Sequence, residues 1–414
     1  MDMISKLPQG IIETILCLLP IKEAVRTSIL SSEWRYHWTK IPKLVFIEDA
    51  FQVSANEVAE LTDELPELPV WEQMFDNPSK REELFAKRCK LFYAINQVLL
   101  MHQGPIREFT LIMEYDRSFD EFNHSMQVDR TCVEIDRIIL HLSKKNTIKK
   151  LHLDFNACYE GYKLLISLFS LHQLTDMFLS DCTIYHERSF NEFGCLTTLY
   201  LECLWTSEKT LLRLLSSCPS LKRLTLESDS STISDSGHTT IDKLFECLPV
   251  IEHLSISFFI VKCFVPERLP KELPTALVHL KYLSLNHVCF IHIYGLRFLA
   301  LLIRSCPNLE KLKLLLYSKY WLDEVDMGSF TLEDYSDIVL EHLNELEIVE
   351  FTDAENELDF VKLILAKSPV LKKVRIFSCS ASEEDEESRI SDVLLCSPCA
   401  SPVVKIIVKR MNSN

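Results

Sequence analysis

The chain has 414 residues, 47% hydrophobic and 25% charged, so it can bury a large core but exceeds the usual length of one compact domain. It carries 44 Lys and Arg against 60 Asp and Glu, and the net charge of -16 disfavours nucleic acid as a partner. Only 7 glycines are present and neither GxGxxG nor GxxxxGK[ST] occurs, which disfavours nucleotide-binding folds.

The cysteines and the apolar segments bear on the compartment. Fifteen cysteines are scattered along the chain, an odd number that does not suit a disulfide framework. The N-terminus MDMISKLPQG lacks a long apolar run, and no apolar segment is long enough to cross a bilayer. We therefore expect reduced cysteines, no signal peptide, no membrane association, and a location in the cytoplasm or the nucleus. Cys396 and Cys399 form the one CxxC, and no second pair accompanies it, so no metal site is predicted.

Three short amphipathic helices are predicted over residues 4–46. The first lies in LPQGIIETILCLLP, with apolar residues at helical spacing up to Pro20. The second lies in IKEAVRTSIL and is predicted to turn Ile21 and Ile29 to one side. The third is capped by Ser31 or Ser32 and aligns Trp34, Trp38 and Ile41. So short a module buries little surface of its own, and its surplus of Leu and Trp predicts a protein partner.

These residues resemble the F-box family. LPQGIIETILCLLP is similar to the opening pattern L-P-x-x-[VI]-[LI]-x-x-I-L-x-x-L-P, and AVRTSILSSEWRYHWTKIPKL resembles the plant version almost position for position. The resemblance implies that residues 1–46 dock onto a Skp-type adaptor, which itself binds a cullin. The adaptor-binding residues it implies are Leu7, Pro8, Ile11, Ile12, Ile15, Leu16, Leu19, Pro20, Val25, Leu30, Trp34 and Trp38.

Residues 47–104 are predicted to form an acidic linker followed by a helical cap. The stretch 47–79 has no Lys or Arg between Glu48 and Asp76, and it is expected to connect the F-box to the first strand of the next region. A linker of this length is expected to be partly mobile. The segment EELFAKRCKLFYAINQVLLMH is predicted to be the capping helix.

A pattern L-x-x-L-x-L recurs ten times in the rest of the chain. It begins at residues 106, 148, 174, 196, 221, 251, 280, 309, 343 and 371, and after the first gap the starts are 22 to 34 residues apart. Leucine-rich repeats behave in this way, each forming a short strand and returning through a helix or turn. Segments such as EKTLLRLLSSCPS supply the helix and end at Cys-Pro. We predict an α/β repeat solenoid, a leucine-rich repeat horseshoe, over residues 105–335; the alternative is a globular α/β domain with coincidental leucines.

The outward positions of the strands are expected to form one concave surface. By the alternation of a strand, Tyr and Phe side chains stand on this surface among charges of both signs, which suits protein or peptide recognition. The target-binding residues predicted there are His152, Phe178, Tyr200, Arg223, His253, Tyr282, Lys311 and Lys313.

The C-terminal segment resembles the FBD domain of plant F-box proteins with leucine-rich repeats. LNELEIVEFTDAENELDFVKLILAKSPVLKKVRI (343–376) has the family's strand, E-x-x-L helix and S-P-x-L turn, and SPVVKIIV (401–408) resembles its closing segment. An FBD-like α/β cap is therefore expected over residues 336–410. The acidic run SASEEDEES (380–388) is predicted to be a solvated loop.

No catalytic constellation is present in the sequence. HExxH and GxSxG are both absent, and no cofactor or metal is predicted. Together the resemblances imply a non-catalytic, substrate-recognition subunit of an SCF-type E3 ubiquitin ligase, with the repeats binding a target protein. Two alternatives stay open: a scaffold that binds the adaptor outside a ligase, and an F-box receptor that senses a small molecule.

Overall fold

The computed structural model describes residues 7–62, 78–113, 127–155, 162–184, 193–228, 240–264, 276–290, 293–316, 338–379 and 385–410, without residues 33, 165 and 353 but with 190, 233–234 and 273. The chain divides into two compact units, of which the first ends at Thr206 and the second begins at Ser207. Within the described residues no helix combines the length and the apolar character needed to cross a membrane.

The first unit begins with the helical module. It contains α1 (Gln9–Leu16), α2 (Ile21–Arg26) and two 3-10 helices, Thr27–Ile29 and Trp34–Lys40. Pro8 and Pro20 precede the two α-helices, and their carbonyls accept the first hydrogen bonds of each helix. The third predicted helix is present as the 3-10 helix Trp34–Lys40, and the Ser31 hydroxyl accepts a hydrogen bond from the Trp34 N–H at 3.4 Å. The second predicted helix gives way to a 3-10 turn at Thr27.

A parallel sheet follows in the first unit. Its main strands run in the order β1-β2-β3-β5-β7, one per repeat. The elements after the helical module are β1 (Lys43–Ile47), α3 (Ala55–Thr62), α4 (Pro78–Met101), β2 (Glu108–Ile112), α5 (Gln127–Lys145), β3 (Lys150–Asp154), β4 (Tyr162–Lys163), a 3-10 helix (Ile166–Ser170), β5 (Asp176–Ser180), β6 (Cys182–Thr183), β7 (Thr198–Glu202) and β8 (Thr206–Ser207).

The strand β1 was not predicted. Leu44 and Phe46 are fully buried and lie in register with Phe109 and Leu111 of β2. The expectation that the acidic segment links the F-box to the first strand is therefore wrong, because the first strand begins at Lys43, before that segment. The segment predicted to be the capping helix is helical, as part of α4, and its capping role stays a prediction. The helix α3 lies in the acidic stretch, of which 63–77 falls outside the described residues.

The second compact unit is built from the same alternation of strand and helix. Its sheet has the order β9-β11-β12-β13-β14-β15-β16, and each neighbouring pair from β9 to β16 is parallel. The elements are α6 (Glu208–Ser216), β9 (Arg223–Glu227), β10 (Ile233–Ser234), α7 (Ile241–Glu246), β11 (His253–Ser257), α8 (Phe258–Lys262), β12 (Tyr282–Val288), α9 (Ile293–Ser305), β13 (Lys311–Leu316), β14 (Glu345–Phe351), α10 (Glu355–Lys367), β15 (Lys373–Ser378), α11 (Asp385–Leu395) and β16 (Lys405–Arg410).

The repeat pattern is confirmed as the basis of both sheets. Each of the ten L-x-x-L-x-L segments contains a strand, and its three apolar positions are at most 2% exposed. Burial of these side chains on one face leaves the alternate strand positions on the other. The acidic run 380–388 was predicted to be a loop, which is wrong from Asp385 onward, where α11 begins.

Four repeats share a strained backbone position. Asp181, Cys203, His287 and Glu350 have φ between 46° and 62°, and each lies seven residues after the first residue of its repeat. His287 and Glu350 lie in β-bulges of β12 and β14. A left-handed residue there ends the regular strand pairing and turns the chain toward the following segment.

Candidate interaction surfaces

The core of the helical module contains four of the twelve predicted adaptor-binding residues. Ile12, Leu16, Trp34 and Trp38 are buried, with Leu16 fully inaccessible. The ring of Trp34 also contacts that of His37 edge-on, with 5.5 Å between centroids. These four side chains therefore hold the module together and are not available to a partner while it is folded.

The other predicted adaptor-binding residues lie at the surface of the module. Ile11, Ile15, Leu19 and Leu30 are exposed apolar side chains, Pro8 and Pro20 are also exposed, and Leu7 and Val25 are half-buried. Three further exposed side chains were missed by the sequence analysis. We define the adaptor face as the exposed large apolar residues of this module: Ile11, Ile15, Leu18, Leu19, Ile29, Leu30 and Tyr36.

Ile29 shows why the adaptor face is larger than predicted. Helical periodicity turned Ile29 inward, but α2 ends at Arg26 and a 3-10 turn continues to Ile29. The Thr27 hydroxyl donates to the Ala24 carbonyl at 2.7 Å inside this turn. The tighter winding changes the direction of the following side chains, and Ile29 is 84% exposed. The neighbouring Arg26 pairs with Glu23 at 2.7 Å in solvent, where such a pair contributes little.

The end of the module is held by the segment that precedes β2. The His102 ring is hydrogen-bonded through Nε2 to the Ile41 carbonyl at 2.8 Å, and Gln103 N–H donates to the Thr39 carbonyl at 2.9 Å. Gly104 lies so close that an added Cβ would be 2.8 Å from the Lys40 carbonyl oxygen. Burial lowers the pKa of His102, so the ring is neutral at physiological pH. The module is thus attached to the segment before β2 by the His102 ring and by close backbone contacts.

The exposed strand face of the first unit carries a row of three rings. His152, Phe178 and Tyr200 are in register on neighbouring strands. Ring centroids are 3.9 Å apart for His152 and Phe178, and 4.4 Å apart for Phe178 and Tyr200, which are stacked. Partial burial lowers the pKa of His152, against the opposing effect of Asp154. The three predicted target-binding residues of this unit therefore form one continuous aromatic row.

The exposed strand face of the second unit is strongly charged. Arg223, His253, Tyr282 and Lys311 are in register, and the Lys311 ammonium lies 5.8 Å from the centre of the Tyr282 ring. Burial and the charge of Arg223 lower the pKa of His253. Lys313 lies on the same face. The structure thus places all five predicted target-binding residues of this unit on one face.

The cations of β13 meet two carboxylates of β14. Lys311 pairs with Glu345 at 3.0 Å and Lys313 pairs with Glu347 at 3.1 Å. Arg375 of β15 reaches both carboxylates, at 3.5 Å to Glu345 and 2.6 Å to Glu347. The hydrogen bond from Lys311 lowers the pKa of Glu345. Burial opposes the charged form of Glu347, but Lys313 and Arg375 outweigh it and lower its pKa as well.

Metal ligands and nucleophiles are the side chains that could support catalysis. No group of three or more His, Cys, Asp or Glu side chains among the described residues could hold a metal ion. Ser257 lies 3.2 Å from the His287 Nδ1, but its hydroxyl is fully buried and donates to the Ser228 carbonyl at 2.8 Å. A hydroxyl committed in this way is not a nucleophile. The surfaces described above are suited to binding.

Comparison with known families agrees with this architecture. Family profiles match the F-box domain at residues 4–46, the leucine-rich repeats of an FBD-associated F-box protein at residues 135–238, and the FBD domain at residues 337–376. The chain carries an F-box, leucine-rich repeats and an FBD domain, in that order. The family expected from the sequence is thereby confirmed.

Two relatives from Arabidopsis thaliana are similar along nearly the whole chain. The F-box/FBD/LRR-repeat protein At1g13570 is 29% identical over 98% of this chain and 98% of its own length. The probable FBD-associated F-box protein At1g32375 is 24% identical over 92% of this chain and 93% of its own length. The similarity to these two relatives therefore extends well beyond any single domain.

Two solved structures also show similarity. One is a Bacteroides fragilis protein, with 13% identity and a TM-score of 0.29 over 78% of this chain and 84% of that chain. The other is a Leptospira interrogans LRR protein, with 15% identity and a TM-score of 0.25 over 86% of this chain and 98% of that chain. These scores are too low to support an inference about this chain.

Proposed function

We propose that this protein is the substrate-recognition subunit of an SCF-type E3 ubiquitin ligase. The F-box domain supports docking on a Skp-type adaptor, and the exposed strand faces of the repeats supply the surface that would hold a target protein. The ligase would carry out the chemistry, and this chain would raise the concentration of the target near the charged ubiquitin carrier. This role would place the protein in the cytoplasm or the nucleus.

The adaptor face is the observation that carries the proposal. Leu18, Ile29 and Leu30 are each more than 60% exposed, in a module whose core is already filled by the two tryptophans, Ile12 and Leu16. Apolar side chains exposed on contiguous helical turns are unfavourable in water, and burial against a partner would remove that free-energy cost. A Skp-type partner fits because the face lies on the F-box.

A binding assay with a purified Skp-type adaptor tests the docking step. Ile11→Glu with Leu30→Glu is expected to weaken adaptor binding at least a hundredfold, because two charges would enter an apolar contact. The matched control is Val278→Glu with Leu395→Glu, which alters side chains of equal exposure in the second unit and should bind as the parent does. Equal binding by the parent and the F-box variant would refute docking through this face.

The substitutions must avoid the core of the module. Leu16→Ala with Trp34→Ala would remove two buried side chains at about 2–5 kcal/mol each, so a loss of binding would report unfolding of the module. Far-UV circular dichroism and thermal unfolding of the Ile11→Glu, Leu30→Glu variant check that its fold is retained.

Recruitment of a cullin separates the ligase from a scaffold. Co-purification of the chain with both adaptor and cullin is the expected result, whereas adaptor without cullin would favour the scaffold. The small-molecule alternative requires a basic pocket on the concave face, where Arg223, Lys311 and Lys313 are the positive positions of the middle repeats. Two of these cations, Lys311 and Lys313, are paired with carboxylates of β14.

A further inference from the structure

The last strands of the second unit concentrate positive charge in an otherwise acidic protein. Four neighbouring strands, β13 to β16, carry six cations and two carboxylates on one face, opposite the buried side chains of β13, β14 and β15, whereas the whole chain has a net charge of -16. We define the cationic strip as these six residues: Lys311, Lys313, Lys373, Arg375, Lys405 and Lys409.

Half of the cationic strip forms no ion pair among the described residues. Lys311, Lys313 and Arg375 pair with Glu345 and Glu347, as described above. Among the described residues, no ion pair is formed by Lys373, Lys405 or Lys409, although Lys373 stands opposite Glu345 across β14 and β15 and its charge helps to lower the pKa of that carboxyl. All three lie on β15 and β16, the last two strands of the sheet. The cations without an ion pair are therefore concentrated at one end of the strip.

The register places two of these cations against each other. Lys373 and Lys405 are direct partners across the parallel pair β15 and β16, and strands lie about 4.8 Å apart. Like charges facing each other across a strand pair repel and destabilise the sheet. Phe377 faces Lys409 in the same pair, and Ile407 lies between the two lysines of β16, both half-buried. An anion with an apolar side chain would relieve the repulsion and cover these side chains.

The strand β16 also offers unpaired backbone groups. It is the last strand in the order, so its outer edge has no neighbouring strand among the described residues. An extended polypeptide segment can pair with such an edge through its main chain while its alternate side chains face the strip. Main-chain pairing of this kind is open to a polypeptide but not to a nucleic acid, whose backbone has no N–H and C=O groups to extend the sheet.

We propose that the cationic strip binds an extended, carboxylate-rich segment of a partner protein that lies along β16. The carboxylates of the segment would pair with Lys373, Lys405 and Lys409, and one apolar side chain would contact Phe377 and Ile407. As a statement about the class of target, this rests on the proposed receptor function. The binding itself does not, because it needs neither adaptor nor cullin.

Titration of the full chain with a defined peptide tests the proposal. The probe is a fluorescent twelve-residue peptide of Asp and Glu with one central Leu, measured by anisotropy at low and at physiological salt. Lys373→Gln with Lys405→Gln is expected to weaken binding at least tenfold, and added salt should weaken the parent complex. The control, Lys209→Gln with Lys243→Gln, removes the same charge from exposed lysines on α6 and α7 and should bind as the parent does.

The outcomes separate the proposal from its competitors. Absence of peptide binding by the parent, or an equal loss in both variants, would overturn it. Tighter binding of a single-stranded oligonucleotide that depends on Lys373 and Lys405 would assign the strip to nucleic acid instead. A peptide with alternate N-methylated residues should bind at least tenfold more weakly, and equal binding would overturn the placement along β16. A chain that binds the peptide but no Skp-type adaptor would refute only the receptor function.

Loss of folding does not explain the expected result. The double substitution removes the like-charge contact of Lys373 with Lys405 and also the attraction of Lys373 to Glu345 on β14, so the midpoint of thermal unfolding should change little. A lower midpoint together with weaker binding would overturn the assignment of these lysines to binding.

Discussion

Glu350 adopts a left-handed backbone conformation that residues with a Cβ atom disfavour. Its φ is 60° in the β-bulge of β14, where a residue with a Cβ costs about 1–2 kcal/mol relative to the right-handed region. Glu350→Gly should raise the free energy of unfolding by up to about 1 kcal/mol, after the entropy cost of glycine. Urea unfolding measures the change. Glu350→Ala keeps the strain and should not stabilise; equal stabilisation by both variants would contradict the explanation.

The repeat explains which residues were predictable. Every apolar position of L-x-x-L-x-L is buried, because a six-residue pattern repeated ten times specifies the strand, its register and its inward face together. Asp181, Cys203, His287 and Glu350 share a conformation but not a residue type, and none is glycine. The sequence therefore carries no local signal for the left-handed position, which is imposed by the stacking of neighbouring repeats.

The ion pairs that link β13, β14 and β15 predict that the stability of the protein depends on pH. Glu345 and Glu347 have pKa values lowered from the ordinary value of 4.5. A carboxylate with a lowered folded-state pKa stabilises the protein above its unfolded-state pKa, and this stabilisation is lost as the pH falls through the folded-state pKa. Glu345→Gln with Glu347→Gln should therefore be less stable than the parent at pH 7, with the difference shrinking below about pH 4.5.

Urea unfolding between pH 7 and pH 3 measures this difference. Glu246→Gln with Glu341→Gln removes the same charge from two exposed glutamates of the second unit that have no ion pair among the described residues. Its difference from the parent should be small at every pH. A deficit of the Glu345, Glu347 variant that stayed constant down to pH 3 would show that the carboxylate charges are not its cause.

The attachment of the F-box to the sheet is tested at Gly104. A methyl group there would be 2.8 Å from the Lys40 carbonyl oxygen, so Gly104→Ala forces backbone apart at a cost of about 1–3 kcal/mol. Gly10→Ala is the control, since nothing lies within 4 Å of its added Cβ and alanine favours the helix α1. Thermal unfolding should show a lower midpoint for the first variant only. A normal midpoint for Gly104→Ala would show that the two segments separate easily.

The same junction shows where prediction from sequence failed at the level of elements. The run KLVFI of β1 has the alternation of a strand, but it lacks the repeat pattern and follows directly on the F-box resemblance. The closing strand β16, KIIVKR, likewise lacks the full pattern. Terminal strands cover only one neighbour, so fewer positions need to be apolar and the periodic signal weakens.

At the scale of the whole molecule, the adaptor face and the cationic strip lie in different compact units. Their chemistry also differs, because one is apolar and the other carries more cations than carboxylates. We therefore expect the two binding functions to be separable. Ile11→Glu with Leu30→Glu should abolish adaptor binding and leave the affinity for the acidic peptide within about twofold of the parent, a change of about 0.4 kcal/mol.

Lys373→Gln with Lys405→Gln should show the opposite behaviour, with full adaptor binding and at least a tenfold loss of affinity for the acidic peptide. Measuring each variant against both ligands distinguishes two independent surfaces from a single coupled one. A loss of both activities in either variant would mean that the two units do not act independently. In a coupled protein of that kind, each ligand alters the affinity for the other by the same factor. Adaptor binding that changes on addition of the peptide would show the same coupling in the parent protein.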